Sequence, residues 1–166
     1  MKNQIKLINF NKTYITDKYI SWLNDKNLMQ YSEQRHYKHN KKTCLNYLKN
    51  IKSGGNLFFA IIDFNNNEHV GNLSIVIDKF NKLGYINILI GKPSKGYGSN
   101  ALITAIQLVK KKYNLRKLIC GTMSSNLRMK NLLNKLKFKF YYSIKDYYLY
   151  KSREIDLDFY YIKLNK

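Results

Sequence analysis

The segment with the clearest chemical potential is a glycine-rich loop that runs from Gly91 to Ser99. It lies between an apolar segment that ends in YINILIG and an amphipathic segment that begins at Tyr97. Gly96 and Gly98 allow the backbone to turn tightly and leave N–H groups uncovered, and the helix that follows adds the positive end of its dipole. Lys95 supplies positive charge. The loop predicts a site for phosphate or pyrophosphate, with an ordinary strand-to-helix turn as the alternative.

This loop does not match two common nucleotide-binding motifs. No G-K-[ST] follows four residues after a first glycine, so the loop is not a Walker motif. The third glycine of a dinucleotide fingerprint would fall at position 101, which is Ala101. The strand before the loop also belongs to an antiparallel meander rather than to an opening βαβ unit. Another kind of anion site is therefore expected.

The cysteines and histidines predict neither a disulfide nor a metal site. Cys44 and Cys120 lie far apart inside apolar runs, where buried free thiols are expected. His36, His39 and His69 have no ligand spacing and no partner cluster of cysteine or acidic residues. We therefore expect no bound metal.

The hydrophobic periodicity predicts the elements that position the loop. Their order is β-α-α-β-β-β-α-β-α-β-β, which indicates a mixed α/β (α+β) domain. Three of the strands follow one another with short turns as an antiparallel meander. The predicted strands are 4–10, 57–64, 69–78, 85–91, 117–123, 138–144 and 158–164, and the predicted helices are 14–24, a helix through Cys44, Leu48 and Ile51 that ends at Gly54 and Gly55, 97–112, and a helix through Met129, Leu132, Leu133 and Leu136.

Composition bounds the class of protein. The 166 residues fit a single domain, 1–166, and 45% hydrophobic residues with one proline exclude a disordered chain. The formal net charge is +20, but 26 of the 30 basic residues are lysines, which serve equally well as solvated surface. A lysine-rich nucleic-acid-binding module without catalysis is the alternative. The apolar runs are too short to span a membrane and no signal-peptide core is present, so we expect a cytoplasmic protein.

Two segments carry a resemblance to a known family. The segment KGYGSNALITAIQLV resembles the pyrophosphate loop and helix of the GNAT superfamily of acetyl-CoA-dependent N-acetyltransferases, and the order of elements is similar over essentially the whole chain. The segment from Asn126 through LLNKLKF resembles the family's N-x-x-A…L-Y-x-K-x-G-F pattern. Within the superfamily, WLNDKNLMQYSEQR and HVGNLSI are most similar to the branch that acetylates protein N-termini or amino sugars.

The resemblance implies a fold and a cofactor site. The fold has a mostly antiparallel central sheet with helices on both faces, and strands 85–91 and 117–123 splay apart to admit the pantetheine arm of acetyl-CoA, the acyl donor. Backbone groups at the end of the first of these strands pair with the pantetheine amides, and N–H groups of the loop hold the pyrophosphate. The implied cofactor-binding residues are Leu89, Ile90, Gly91, Lys95, Gly96, Tyr97, Gly98, Ser99, Asn126, Lys130 and Asn131.

The usual catalytic acid and base of the family are absent by position. Leu133 stands where many members have a tyrosine that acts as the general acid. Tyr85 lies near the position where members often have an acidic residue that acts as the general base. Glu33 is the first candidate base, because the polar loop between the first two helices covers the acceptor site in this family. His69 is the second candidate, and Tyr85 is a proton relay through water. Each of these side chains also has a purely structural interpretation.

The acceptor is expected to be a primary amine. Arg35 suits a nucleotide-sugar diphosphate because its planar fork binds phosphate oxygens in pairs. We predict a nucleotide-linked 4-amino sugar of surface polysaccharide synthesis as the acceptor, with a protein N-terminus as the alternative. The aromatic-rich final strands offer an edge for a homodimer. The candidate acceptor-binding residues are Trp22, Tyr31, Arg35, Asn72 and Ser74.

Overall fold

The computed structural model describes residues 5–92 and 96–164 as one sheet with flanking helices. Two short 3-10 turns, Lys12–Tyr14 and Glu33–His36, precede α1 and α2. No described helix is long and apolar enough to cross a membrane. The elements are β1 (Ile5–Asn9), α1 (Asp17–Asn24), α2 (Lys41–Ser53), β2 (Leu57–Asp63), β3 (His69–Asp78), β4 (Leu83–Ile90), α3 (Tyr97–Lys112), β5 (Lys117–Met123), α4 (Leu127–Lys135), β6 (Lys139–Tyr150) and β7 (Arg153–Lys163).

The sheet is mostly antiparallel and opens at its centre. Its strand order is β1-β2-β3-β4-β5-β7-β6, and all neighbours are antiparallel except β4 and β5. These two parallel strands pair only from Leu83 with Lys117 to Tyr85 with Ile119, although both continue beyond that point. The mixed fold with splayed central strands, expected from the resemblance, is confirmed.

Two apolar cores lie on opposite faces of the sheet. On one face α3 and α4 pack through residues such as Leu102 and Val109, which are completely buried. On the other face α1 and α2 pack through residues such as Leu48. Cys44 and Cys120 are buried in these cores as free thiols, as predicted. The predicted placement of helices on both faces is confirmed.

The first helix begins later than the predicted range 14–24. The side-chain oxygen of Thr16 accepts a hydrogen bond from the backbone N–H of Tyr19 at 3.2 Å, which is an N-cap. The helix therefore starts at Asp17, and the residues before the cap form the turn Lys12–Tyr14. The helix α3 and the strands before α4 begin and end within two residues of their predicted limits, and α2 ends directly before Gly54, as predicted.

The last two strands are longer than the predicted ranges 138–144 and 158–164. They form one long hairpin, in which β6 and β7 are joined at Lys151 and Ser152. Both turn residues have positive φ, 51° and 58°, the backbone of a tight hairpin turn that usually contains glycine or asparagine. Because neither residue type is present, the turn gives no signal in the sequence.

Candidate active site

A cavity of about 900 Å³ opens where β4 and β5 separate. Asn87 to Leu89 line it from β4, and Cys120 to Met123 line it from β5. The polar segment before α2 covers it on one side, and Tyr148 of β6 closes another. The splay is therefore the floor of an internal space between the two central strands.

The edge of β4 offers unpaired backbone groups to this gap. The N–H of Gly91 donates to the carbonyl of Val70 at 2.9 Å, so Gly91 faces β3. Backbone groups alternate between the two neighbours of a strand, so Leu89 also faces β3, whereas Ile88 and Ile90 face the gap. The geometry favours Ile88 and Ile90 for the pantetheine amides, while Leu89 contributes its side chain to the cavity wall.

The N-terminus of α3 is built for an anion. Gly96 precedes the helix with φ of 75°, a left-handed conformation that glycine adopts without strain. The first described helical bond runs from the N–H of Asn100 to the carbonyl of Gly96 at 3.1 Å. The N–H groups of Tyr97, Gly98 and Ser99 therefore have no partner within the helix. Lys95 lies outside the described residues.

The side chain of Tyr97 anchors this helix rather than reaching the cofactor. It is 2% exposed, and its hydroxyl donates to Oδ2 of Asp63 at 2.5 Å. Asp63 is 4% exposed and also accepts from the N–H of Asn65. This hydrogen bond, together with burial, raises the pKa of Tyr97 to about 12. The pair ties the start of α3 to the end of β2.

Replacement of Tyr97 by Phe should destabilise the protein and weaken acetyl-CoA binding together. The buried carboxylate of Asp63 loses a hydrogen bond, which costs about 2 kcal/mol and lowers Tm by about 4–8 °C. The helix N-terminus also loses its anchor, so the KM for acetyl-CoA should rise. Thermal unfolding and steady-state kinetics measure both effects. Tyr113→Phe at the other end of α3 is the matched control, and equal changes in the two variants would contradict the anchoring role.

The start of α4 reaches the cavity from the β5 side through Asn126, its N-cap, and Met129. Asn126 lines the cavity, and its side-chain oxygen caps α4 by accepting from the N–H of Met129 at 3.1 Å. Lys130 is ion-paired with Asp158 at 2.8 Å, and Asn131 is exposed. Leu133 is completely buried in the core, so no side chain at this position supplies an acid.

Glu33 lines the cavity from the turn Glu33–His36. Nη1 of Arg35 lies 2.6 Å from its Oε1 and also donates to the carbonyl of Ser32 at 3.0 Å. The guanidinium lies 5.4 Å from the ring centroid of Tyr150, at the tip of the β6–β7 hairpin. Arg35 thus holds the turn in place and orients the Glu33 carboxylate. It lines a smaller pocket beside the main cavity.

Three of the predicted acceptor-binding residues lie together in the cavity wall. Tyr31, Asn72 and Ser74 line it, and the amide of Asn72 donates to the hydroxyl of Tyr19 at 3.2 Å. Trp22 is 6% exposed and lies in the core behind the cavity. The structure therefore places Glu33 and three of the five predicted acceptor residues in the wall of one cavity, and it places Trp22 in the core.

The other two candidate catalytic residues are not among the described residues that line the cavity. Tyr85 is 40% exposed on β4, at the point where β4 still pairs with β5. His69 is surrounded by aromatic rings, and Nε2 of its ring lies 2.9 Å from the carbonyl of Gly71. Burial lowers the pKa of His69 to about 4. The rings around His69 are those of Phe10, Tyr14, Tyr19 and Trp22.

The burial of His69 should make the free energy of unfolding decrease as the pH is lowered. Its folded pKa of about 4 is below the ordinary value of 6.5, so the unfolded chain takes up the proton first. The contribution is complete above pH 6.5 and is lost as the pH falls towards 4, by about 1–2 kcal/mol after allowance for partial exposure. Thermal unfolding at about pH 7.5 and about pH 5 should show a smaller difference in His69→Phe than in the wild type. The exposed His36→Gln variant should keep the wild-type difference, and an equal change in both variants would contradict this assignment.

Several residues of the cavity wall were not found from the sequence. The five lining tyrosines include four that were not candidates, among them Tyr148. A tyrosine gives no distinctive signal in a chain that has 15 of them. Tyr148 also lies in the part of β6 that the predicted strand omitted. These side chains can be identified as part of the cavity wall only when the fold is known.

Comparison with known proteins gives the family. The model of the acetyltransferase (GNAT) domain matches residues 6–139. No curated protein sequence matches the chain. Among solved structures, spermidine N-acetyltransferase from Vibrio cholerae, in complex with CoA and spermine, is 18% identical with a TM-score of 0.87, covering 98% of this chain and 97% of that chain.

Two further structures share the fold. The acetyltransferase from Salmonella typhimurium that modifies the N-terminal serine of ribosomal protein L7/L12 is 15% identical with a TM-score of 0.82, covering 98% of this chain and 96% of that chain. The microcin C7 self-immunity acetyltransferase, in complex with acetyl-CoA and AMP, is 16% identical with a TM-score of 0.82, covering 96% of this chain and 92% of that chain.

The family match agrees with the geometry. The gap beside β4 and the N-terminus of α3 fit the pantetheine arm and the pyrophosphate of acetyl-CoA, the acyl donor of the family. The alternative of a nucleic-acid-binding module without catalysis does not hold, because the match describes an enzyme. The chain belongs to the GNAT family and is an acetyl-CoA-dependent N-acetyltransferase.

Proposed function

We propose that the acceptor is the primary amine of a nucleotide-linked amino sugar. The observation that carries this proposal is the chemistry of the cavity wall. Glu33 is the only carboxylate among the described lining residues, and it is already paired with Arg35. Five tyrosines, Asn72 and Ser74 offer hydroxyl and amide groups instead. Such a wall suits the hydroxyls and apolar faces of a sugar.

The same wall argues against a polyamine acceptor. Several positive charges on one acceptor need several carboxylates, because burying unpaired charge is costly. Lys38 also lines the cavity, so the described wall carries no excess of negative charge. A neutral or anionic acceptor with a single amine fits better. The structure of the microcin C7 enzyme, which shares the fold, is a complex with acetyl-CoA and AMP, and this supports an acceptor that contains a nucleotide.

The proposed reaction is direct attack of the amine on the thioester carbonyl. A bond forms between nitrogen and the acetyl carbon, and the bond between that carbon and sulfur breaks, so that CoA leaves as its thiolate. An amine with a pKa of about 8 is partly neutral at pH 7, so positioning supplies much of the rate. Glu33 accepts the proton that the nitrogen loses, which makes it the proposed general base. Glu33 is preferred over Tyr85 and His69 because neither of these is among the described residues that line the cavity.

A protein N-terminus is the second candidate acceptor. Phe140, Tyr141 and Tyr142 of β6 are exposed by 56%, 47% and 45%, which is unusual for neighbouring aromatic side chains. Exposed apolar patches of this kind mark interaction surfaces, and a protein substrate would cover one. The same strand could instead meet a second copy of the chain as a homodimer edge.

An acceptor panel tests the proposal. CoA release from acetyl-CoA is measured with UDP- and dTDP-linked amino sugars, with short peptides that have free N-termini, and with spermidine. The expected result is the highest kcat/KM on a nucleotide-linked amino sugar. Turnover on peptides alone would overturn the proposed acceptor and favour the second candidate.

A further inference from the structure

We propose that a basic pocket beside the acceptor cavity binds the phosphate groups of the acceptor. This inference rests on the proposed function and deepens it. The pocket has a volume of about 390 Å³ and lies between α1 and the turn Glu33–His36. It is defined here as the acceptor phosphate pocket, lined by Leu23, Asn24, Asp25, Lys26, Met29, Arg35, Tyr37 and Lys38.

The charges of this pocket favour an anion. Lys26, Arg35 and Lys38 place three cations in its lining, against the single carboxylate of Asp25. Oδ1 of Asp25 is occupied, because it accepts the N–H groups of Asn27 and Leu28 at 2.8 and 3.0 Å. The described lining has two more positive charges than negative ones, and the pairing of Arg35 with Glu33, which lies outside the lining, leaves an excess of one. Phosphate groups can neutralise that excess.

Arg35 is preorganised within the pocket. Its side chain is only 11% exposed, and Nη1 is held by Glu33 and the carbonyl of Ser32. The ring of Tyr150 supports the plane of the guanidinium from the β6–β7 hairpin. Nε and Nη2 have no hydrogen-bond partner among the described residues. These remaining donors have the fork geometry that binds phosphate oxygens in pairs.

The pocket is continuous with the acceptor cavity. Leu23, Met29, Tyr37 and Lys38 line both spaces. An acceptor with its amine at the splay can therefore extend past Tyr37 and place its phosphates against Lys26 and Arg35. A free amino sugar reaches the splay but not the pocket. The arrangement predicts discrimination between the two forms of the same sugar.

The test compares charge removal inside and outside the pocket. The double variant Lys26→Gln/Lys38→Gln removes two cations without touching the Arg35–Glu33 pair. Lys79→Gln, an exposed lysine in the turn between β3 and β4, is the matched control. At saturating acetyl-CoA, the double variant should raise the KM for the nucleotide-linked amino sugar about tenfold. The KM for the free amino sugar should change much less, with any small change due to Lys38, which also lines the acceptor cavity, and the KM for acetyl-CoA should not change.

Inorganic pyrophosphate gives a second readout. Saturating acetyl-CoA occupies the α3 site, so inhibition that competes with the acceptor reports on the acceptor phosphate pocket. The inhibition constant should rise about tenfold in the double variant and stay constant in Lys79→Gln. An equal KM for the nucleotide-linked amino sugar in the double variant and in Lys79→Gln would overturn the pocket. It would leave the proposed function intact. Failure to acetylate either sugar would overturn the proposed function itself, and the pocket with it.

Discussion

Replacement of Glu33 by Gln should lower kcat about a hundredfold and leave the KM for acetyl-CoA near the wild-type value. General base catalysis contributes about 10²–10⁴-fold, and the lower end applies because an amine with a pKa of about 8 is partly neutral already. Glu33 is the only carboxylate in the described cavity wall, so no neighbouring acid replaces it. Glutamine keeps a hydrogen-bond acceptor for Arg35 and therefore preserves the turn. Steady-state kinetics with the best acceptor measure both parameters.

The controls separate proton transfer from positioning. Glu154→Gln removes an exposed carboxylate of β7, outside the cavity wall, and should leave kcat unchanged. Glu33→Asp keeps the carboxylate with a shorter reach and should retain more kcat than Glu33→Gln. An effect of Glu33→Gln confined to the acceptor KM would show that Glu33 binds the acceptor rather than accepting its proton.

Local patterns were sufficient to predict the order of the elements. The helix 97–112 was predicted at its observed limits, because Leu102 and Val109 repeat at helical spacing and are completely buried. The strand 117–123 was also predicted at its limits, as a short apolar run. The central splay followed from the resemblance rather than from periodicity, since periodicity does not show where two strands stop pairing.

Contacts between distant parts of the chain could not be read from such patterns. Tyr97 was expected at the cofactor through its backbone N–H, but the sequence did not indicate that its hydroxyl binds Asp63, 34 residues earlier in the chain. Arg35 was expected in the acceptor cavity, but Glu33 and the ring of Tyr150 hold it beside that cavity. His69 was the second candidate base, but aromatic rings pack around it in the structure. In each case the residue type was useful evidence, but the sequence did not show in which direction the side chain points.

Part of the lysine excess has a local structural role. Lys110, Lys111 and Lys112 stand in the last turn of α3, where cations stabilise the negative end of the helix dipole. Lys92, immediately before the undescribed part of the glycine-rich loop, pairs with Glu68 at 2.9 Å. The net charge of +20 is therefore weak information about a partner. The placement of Lys26, Arg35 and Lys38 around the acceptor phosphate pocket is more specific information about a partner than the net charge is.

Replacement of Gly91 by Ala should destabilise the protein more than Tyr97→Phe does. A Cβ atom at this position would overlap the indole ring of Trp22, whose side chain is 6% exposed. The ring cannot move freely, because Tyr19 and His69 pack against it. Forcing the core apart should cost about 3 kcal/mol and lower Tm by about 6–12 °C. Displacement of the end of β4 should also raise the KM for acetyl-CoA.

Gly98→Ala is the matched control, since it adds the same methyl group seven residues later. A Cβ at Gly98 would lie 3.4 Å from Leu132 and 3.7 Å from Ile90, which is ordinary contact, and alanine favours the helix by about 1 kcal/mol. This variant should therefore be at least as stable as the wild type. Adding Trp22→Phe to Gly91→Ala should recover part of the lost Tm, because the smaller ring removes some of the overlap. Independent, additive effects of these two substitutions would show that Gly91 is required for a reason other than its contact with Trp22.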